Sequence, residues 1–416
     1  DGERGEDPPH VRFDAPEQRP DASKRSMESA PHGRRRLLLP TVLAAVGALA
    51  VAAGVVGLVR SGTDGVEAAA EPDLRLDLGR DAPFLRDFDA EAMYVGAGVD
   101  AIPSIDDPVF ESAAEVSLLA PSDLVVGLEV DGDARAYPTK VLSLHEVVND
   151  EIGGRPVAVT WCPLCQTALA FDRRVDGRTL TFGVSGWLYS ANLLLWDRQT
   201  GSLWSQLLGG AVTGRYRGTE LERVPVAHET WEAWRSSHPD TKVLTVAQDT
   251  LADRFTDEIV ENTERGEAIS SAPYAEYAQK VKTYFDRPVD GIPGADRVLG
   301  IVAGERARAY RLLTLQRRRA IEDTLGPDPI LVTWDGEAFS AGAFSRRLGD
   351  GRVLSFRVRD GELVDGETGS RWSGRLGTAL AGPLAGTELE RLPATFSYWF
   401  AWRRIHPRTT VYPAAG

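Results

Sequence analysis

The residues best suited to chemistry are the only two cysteines of the chain, Cys162 and Cys165, in the motif Cys-Pro-Leu-Cys. A Cys-x-x-Cys pair can exchange with disulfides when one sulfur ionises readily, and it can also supply two soft ligands to a metal ion. It can equally form a structural disulfide, although a loop closed over so few residues removes little entropy from the unfolded chain. The motif alone leaves these three interpretations open.

An internal repeat helps to separate residues that the fold needs from candidates for chemistry. Seven residues of the first half recur after 173 positions, and the hexapeptide GTELER at 218–223 recurs after 168 positions at 386–391. Residues present in both copies are expected to serve the fold. His238 and His406 are such a pair, and we predict that each ends a tryptophan-bearing helix.

Three segments of the first copy have no counterpart in the second. Cys162 and Cys165 fall opposite Asp335 and Ala338. In the segment HEVVN, His145, Glu146 and Asn149 fall opposite Arg318, Arg319 and Glu322. The loop SGWLYSAN falls where the second copy is shorter. We expect the three segments to converge on one site. The candidates for its chemistry are Cys162, Cys165 and His145, and the candidates for hydrogen bonds to a ligand or thiolate are Glu146, Asn149, Ser185, Ser190 and Asn192.

Two chemistries are compatible with these residues. In the redox interpretation Cys162 attacks, Cys165 resolves and His145 tunes the thiolate. The run QTALAF at 166–171 is predicted to be helical, and the start of a helix would lower a thiol pKa. In the metal interpretation Cys162, Cys165 and His145 bind zinc or copper and leave a fourth position open. The sequence itself does not identify a cofactor.

A third interpretation is a non-catalytic surface binding protein in which a disulfide only shapes a loop. The composition also limits the choice of partner. The formal charge of −14 argues against binding to nucleic acid, which needs a clustered excess of Lys and Arg. No nucleic-acid partner is therefore expected.

The beginning of the chain predicts a membrane anchor. Residues 1–36 are polar and are predicted to be a disordered cytoplasmic tail. The uncharged residues 37–59 are long enough to cross a hydrocarbon core of ~30 Å at ~1.5 Å per residue. Three arginines precede them, so the positive-inside rule places the rest of the chain outside the cytoplasm, as a single-pass protein of the cell membrane. A cleaved signal peptide is the alternative.

The remaining chain predicts an α+β, β-rich fold with two tandem repeated modules after the transmembrane helix. Residues 60–95 are predicted to be a stalk and 96–246 to be module one, which carries the cysteines. A helix-prone connector at 247–290 and a degenerate module two at 291–416 follow. Within module one, a short helix is expected at 141–150 and an amphipathic helix at 230–238.

Seven ordered motifs between residues 100 and 244 resemble the prokaryotic domain-of-unknown-function family 3179. The motifs are DDPVF, AYP, HEVVND, GGRPVAVTWCPLCQTALAF, FGVSGWLYSAN, WDRQTGSLWSQ and HPDTKVL. The resemblance implies a secreted or membrane-attached protein and brings no established activity. It supports Cys162, Cys165, His145 and the loop 185–192 as the site, and it implies that module two is a degenerate structural partner.

Overall fold

The structure is a computed structural model that describes residues 71–245 and 287–413. The predicted cytoplasmic tail, the predicted transmembrane helix at 37–59 and most of the predicted connector lie outside these residues. Within them, no helix is long and apolar enough to cross a membrane.

Short strands make up most of the described structure. The strands of module one are β1 (Met93–Val95), β2 (Val109–Ser112), β3 (Leu124–Val130), β4 (Asp133–Pro138), β5 (Val147–Ile152), β6 (Arg155–Cys162), β7 (Thr167–Asp172), β8 (Arg174–Val175), β9 (Arg178–Thr179), β10 (Phe182–Tyr189), β11 (Asn192–Asp197), β12 (Leu203–Ser205), β13 (Gly210–Ala211), β14 (Arg223–Val224), β15 (Ala227–Thr230) and β16 (Lys242–Thr245). Those of module two are β17 (Pro288–Val289), β18 (Ile292–Pro293), β19 (Arg297–Ala303), β20 (Arg306–Arg311), β21 (Ala320–Leu325), β22 (Asp328–Asp335), β23 (Ser340–Ser345), β24 (Phe356–Arg359), β25 (Glu362–Asp365), β26 (Arg371–Trp372), β27 (Ala379–Ala381), β28 (Ala394–Tyr398) and β29 (Thr410–Val411).

The α-helices of the described residues are four, and each has seven residues. They are α1 (Thr139–His145), α2 (Trp231–Ser237), α3 (Leu312–Arg318) and α4 (Trp399–Ile405). The predicted fold class, α+β and β-rich, is therefore corrected for the described residues to a β-rich fold of many small sheets. Such short helices have too few hydrogen bonds to be stable alone, so they depend on packing against the sheets.

The two modules repeat the same sheet order, except that module one has the additional edge strands β1, β2 and β14. In module one the principal sheets run β15-β3-β4-β16-β2, β14-β7-β6-β5 and β1-β10-β11-β12-β13; in module two they run β28-β19-β20-β29, β23-β22-β21 and β24-β25-β26-β27. Even the parallel pair recurs, as β16 beside β4 and β29 beside β20. The sequence repeat is thus also a structural repeat.

Residues shared by both copies stabilise each module internally. In module one, Arg135 and Tyr137 both contact Asp150, and in module two Arg308 and Tyr310 both contact Asp323. Since a buried tyrosine hydroxyl needs a partner, each Arg-Tyr-Asp set serves the fold.

The helices that carry the paired tryptophans pack on glycines. A Cβ added at Gly127 would overlap the ring of Trp234, and one added at Gly300 would overlap the ring of Trp402. His238 and His406 follow the last residues of α2 and α4, as predicted for residues that end these helices. At Gly127 and Gly300, only glycine allows the tryptophan ring to approach the strand so closely.

Three local predictions around the cysteines were wrong. The helix predicted at 141–150 ends at His145, Glu146 adopts a left-handed φ of 56°, and β5 begins at the next residue. QTALAF is not helical, because residues 167–172 form β7, which is buried on both faces. The loop predicted at 185–192 is a hairpin whose turn is Ser190-Ala191.

Residues 71–95 do not behave as the predicted stalk. Met93 to Val95 pair with β10, Asp73 bridges Ser202, and Leu85 is buried in a core cluster formed mainly by module one. The polar composition of this segment hid the few apolar residues that fix it to the module.

The modules contact each other reciprocally, as in an isologous interface. The backbone N–H of Thr230 donates to the Ala338 carbonyl at 2.9 Å, and that of Tyr398 donates to the Cys165 carbonyl at 3.0 Å. Tyr398 is the repeat counterpart of Thr230, and Ala338 is that of Cys165. The cysteine turn therefore lies at the interface and is partly covered by module two.

Candidate functional site

The two cysteines lie where a strand turns back on its neighbour. Cys162 is the last residue of β6, and Cys165 ends the turn before β7. Both are free thiols, with exposures of 1% and 0%. Pro163 and Gln166 are the half-buried residues of this turn, so its outer side reaches solvent while the sulfurs point into the core.

The sulfur of Cys165 is surrounded by hydrogen-bond donors. Asn192 Nδ2 and Thr167 Oγ1 each lie 3.2 Å from it, and the Cys162 thiol is a third partner. Burial alone would raise its pKa. The hydrogen bonds from Cys162, Thr167 and Asn192 outweigh burial and hold the pKa of Cys165 below its ordinary value, because they stabilise the thiolate more than the thiol.

Cys162 has the opposite environment. Its sulfur lies 3.8 Å from the Ala191 carbonyl oxygen. This oxygen can accept a hydrogen bond from the Cys162 thiol, but it cannot stabilise a negative charge on the sulfur. Burial, followed by the hydrogen bond with Cys165, raises the pKa of Cys162 well above its ordinary value. Cys165 is therefore the more acidic thiol of the pair, and Cys162 the less acidic one.

A buried polar network orients Asn192. Its amide also donates to Gln206 Oε1 at 2.8 Å, and its own Oδ1 accepts from the Leu207 backbone N–H at 3.0 Å. Gln206 Nε2 in turn donates to Thr160 Oγ1 and to the Thr167 carbonyl. Because the polar groups of both side-chain amides are paired, the amide of Asn192 is held with its N–H directed at the Cys165 sulfur.

Glu146 is the residue of the HEVVN segment that affects the cysteines electrostatically. Its negative charge raises the pKa of both Cys162 and Cys165. It is buried, and its left-handed backbone places it between α1 and β5. The Glu146 carbonyl accepts from the Trp161 N–H at 2.8 Å, which ties it to the strand that carries Cys162.

The other predicted site residues make hydrogen bonds elsewhere. His145 Nδ1 donates to the Pro103 carbonyl at 2.8 Å, and burial lowers its pKa. Asn149 bonds both backbone groups of Phe182. Ser185 bridges the Leu194 carbonyl and the Trp187 N–H at a bulge of β10. Asn149 and Ser185 thus brace strands in the structure.

Ser190 contributes through its backbone. It and Ala191 have φ values of 49° and 64°, which a two-residue hairpin turn requires but which L side chains disfavour. The equivalent turn of module two uses Asp360 and Gly361, the kind of pair that fits such angles. The strained turn of module one places the Ala191 carbonyl against the Cys162 thiol.

The metal interpretation is corrected by the geometry. Among the residues in 71–245 and 287–413, no group of three or more His, Cys, Asp or Glu side chains is arranged to hold a metal ion. The imidazole of His145 is bound to a backbone carbonyl, and the partners of Cys165 are an amide, a hydroxyl and a thiol. Neither zinc nor copper is therefore supported as a cofactor.

Two residues of the site were missed from the sequence, Thr167 and Gln206. Thr167 begins the strand that was predicted to be a helix. Gln206 directly follows β12 and lies 46 residues from Thr160 and 39 from Thr167, both of which belong to another sheet. The repeat carried a signal, since Gln206 falls opposite Gly374 in module two.

Module two shows what the same position looks like without the site. There Gly374, Asp335 and Arg319 stand opposite Gln206, Cys162 and Glu146, and they line a cavity of about 310 Å³. In module one the corresponding space holds the Asn192-Gln206 network. The network thus accompanies the cysteines and is not required by the fold that the two modules share.

Module two also holds the cysteine turn from outside. Arg297 Nη2 donates to Gln166 Oε1 at 2.7 Å, and the Tyr398 N–H binds the Cys165 carbonyl. Gln166 has a positive φ of 56°, so the turn is held in an uncommon conformation. Both modules are therefore part of one site.

These features define a class of protein with two β-rich modules and one buried dithiol at their interface. The family model described as Protein of unknown function (DUF3179) matches residues 99–409, and the chain belongs to this family. The resemblance stated from the sequence is confirmed, but the match extends through both modules rather than ending near residue 244. No curated protein and no solved structure matches the chain.

Proposed function

We propose that the Cys162–Cys165 pair is a thiol–disulfide redox centre. The observation that supports this most strongly is the set of three donors around the Cys165 sulfur. A cysteine that only fills a core does not need hydrogen bonds that favour its charged form. A redox cysteine does, because the thiolate is the nucleophile.

The roles of the two cysteines follow from their pKa directions and reverse the assignment made from the sequence. The Cys165 thiolate attacks one sulfur of a disulfide RSSR, the S–S bond breaks, and one RS⁻ leaves. The Cys162 thiol then loses its proton to that leaving group and attacks the Cys165 sulfur, releasing the second thiolate. The dithiol is oxidised by two electrons and RSSR is reduced to two thiols.

The substrate class follows from burial. Because the sulfurs are 1% and 0% exposed, the edge of a folded protein cannot reach them. A low-molecular-weight disulfide can reach them once the Pro163 to Gln166 side of the turn moves outward. The redox partner is therefore a small disulfide of the glutathione type.

The test is to trap the mixed disulfide. Cys162→Ser should accumulate one glutathione on Cys165 when treated with oxidised glutathione, because the resolving sulfur is absent. The matched variant Cys165→Ser should remain largely unmodified over the same time. Intact-protein mass spectrometry after acid quenching measures both, and preferential modification of Cys162 would contradict the assigned roles.

A further inference from the structure

Two grooves lie between the modules, and corresponding residues of the repeat line them. We call the groove lined by residues of 302–307 and 405–409 the filled groove. The groove lined by residues of 129–134 and 237–241 is the open groove. The reciprocal contacts of the modules make one the counterpart of the other.

Residues 80–87 occupy the filled groove. The Arg80 N–H donates to the Arg217 carbonyl at 2.9 Å, the Phe84 ring lies against Gly210, and Arg408 holds Asp87 at 2.6 Å. A Cβ added at Gly218 would overlap the Arg80 carbonyl oxygen. The groove is thus shaped for a short polypeptide segment.

The same place in the open groove is empty of described residues. Gly386 is the counterpart of Gly218 and has nearly the same φ, 82° against 84°, yet an added Cβ meets no described atom within 4 Å. The cavity has a volume of about 1450 Å³, against about 560 Å³ beside the segment in the filled groove. The groove has room for a segment such as residues 80–87.

The charges of the two grooves are reversed. Arg408, which holds Asp87, corresponds to Asp240, and Arg306 corresponds to Asp133. Seven carboxylates line the open groove, against three lysine or arginine side chains. An occupant placed like residues 80–87 would therefore need a cation where that segment has Asp87.

One of these carboxylates is buried and incompletely paired. Glu229 is 1% exposed and lines the open groove; its Oε1 accepts from Arg375 at 2.9 Å, whereas its Oε2 has no hydrogen-bond partner. A buried carboxylate oxygen without a donor is costly, and an ammonium or guanidinium group of a ligand would satisfy it.

We propose that the open groove binds a short cationic peptide segment of a partner protein, about as long as residues 80–87. A lysine or arginine of the segment pairs with Asp240, and another reaches the free oxygen of Glu229. The segment lies along Gly386, as Arg80 lies along Gly218. This inference does not depend on the cysteines.

The probe is a fluorescein-labelled octapeptide of alternating lysine and alanine, titrated with the full chain at 150 mM salt and followed by fluorescence anisotropy. We expect saturable binding, at least tenfold weaker for Asp240→Arg and for Glu388→Arg, two exposed positions on the groove. Asp107→Arg makes the same change of charge at an exposed position outside the groove and should alter the Kd less than twofold.

Three results would overturn the proposal. One is no saturation below 1 mM peptide. Another is equal weakening by Asp107→Arg, which would mean attraction to the net charge alone. The last is a groove covered by a second copy, seen as a dimer in sedimentation that Asp240→Arg dissociates.

Discussion

The amide of Asn192 lies 3.2 Å from the sulfur of Cys165, and the same amide donates to Gln206. The hydrogen bond between Asn192 and Cys165 connects a hairpin of one sheet with the cysteine turn of another. The hydrogen bond is the structural reason for assigning the thiolate to Cys165 and not to Cys162.

Replacing Asn192 by Asp should raise the pKa of Cys165. The change removes the N–H donor and adds a negative charge; loss of a hydrogen bond to a charged group costs about 1.5–3 kcal/mol, or about 1–2 pKa units. The measurement is the thiolate absorbance near 240 nm against pH.

The control is Asn149→Asp, which makes the same substitution at a buried asparagine that bonds Phe182 instead of a cysteine. It should reduce stability and leave the thiolate titration unchanged. Equal shifts in both variants would show that Asn192 acts only through the fold.

The two single-cysteine variants should titrate on opposite sides of the ordinary thiol pKa of 9.0. In Cys162→Ser the serine hydroxyl can still donate to Cys165, so the remaining thiol should ionise below that value. In Cys165→Ser the remaining Cys162 thiol should ionise above it. Ultraviolet titration of each variant measures the order, and the reverse order would contradict the proposed attacking residue.

Arg297 should control how easily the cysteine turn opens. Arg297→Met removes the hydrogen bond to Gln166, worth about 1 kcal/mol, and should speed oxidation by oxidised glutathione about fivefold. The control is Arg371→Met, since Arg371 pairs with Glu362 on the surface of module two. An unchanged rate for Arg297→Met would mean that module two does not restrain the turn.

His228 should make the protein sensitive to acid. Its ring lies between Trp161 and Phe396, neither ring nitrogen has a partner, and burial lowers its pKa to about 3. The folded state keeps the ring neutral while the unfolded chain takes up a proton below about pH 6.5. Stability from this residue is therefore lost as the pH falls from about 6.5 towards 3.

Replacing His228 by Phe, the residue at its counterpart Phe396, should remove this loss. The slope of unfolding free energy against pH near pH 5 should fall by about 1.4 kcal/mol per pH unit, the value for one proton. His406, whose pKa is also lowered to about 3 by burial, keeps part of the slope. Urea denaturation from pH 4 to 7 measures it, and an unchanged slope would show that His228 is protonated in the folded state.

Much of the site was predictable because the repeat compares the chain with itself. The comparison selected the cysteines, Glu146 and Asn192, and the amide of Asn192 lies 3.2 Å from the sulfur of Cys165. It could not place Thr167, because a strand buried on both faces lacks the alternation that distinguishes it from a helix. It also grouped His145 with Glu146, although the left-handed residue 146 ends the helix and separates their environments.

The fold was predictable where periodicity was strong, as for α2, and less so where tertiary packing decides. Residues 71–95 look like a polar linker, but β1 and Leu85 attach them to module one. Gln206 is an ordinary polar residue of a turn until β12 brings it beside Thr160. Such contacts between sheets leave no local pattern in the sequence.

In the proposed function, Cys162 and Cys165 exchange reversibly between dithiol and disulfide. The most direct test equilibrates the full chain with defined ratios of reduced and oxidised glutathione and measures the oxidised fraction by alkylation and mass spectrometry. We predict one intramolecular disulfide and a midpoint potential above about −300 mV, the range of exchangeable pairs. A pair that never forms the disulfide, or a potential below that value, would contradict the redox function.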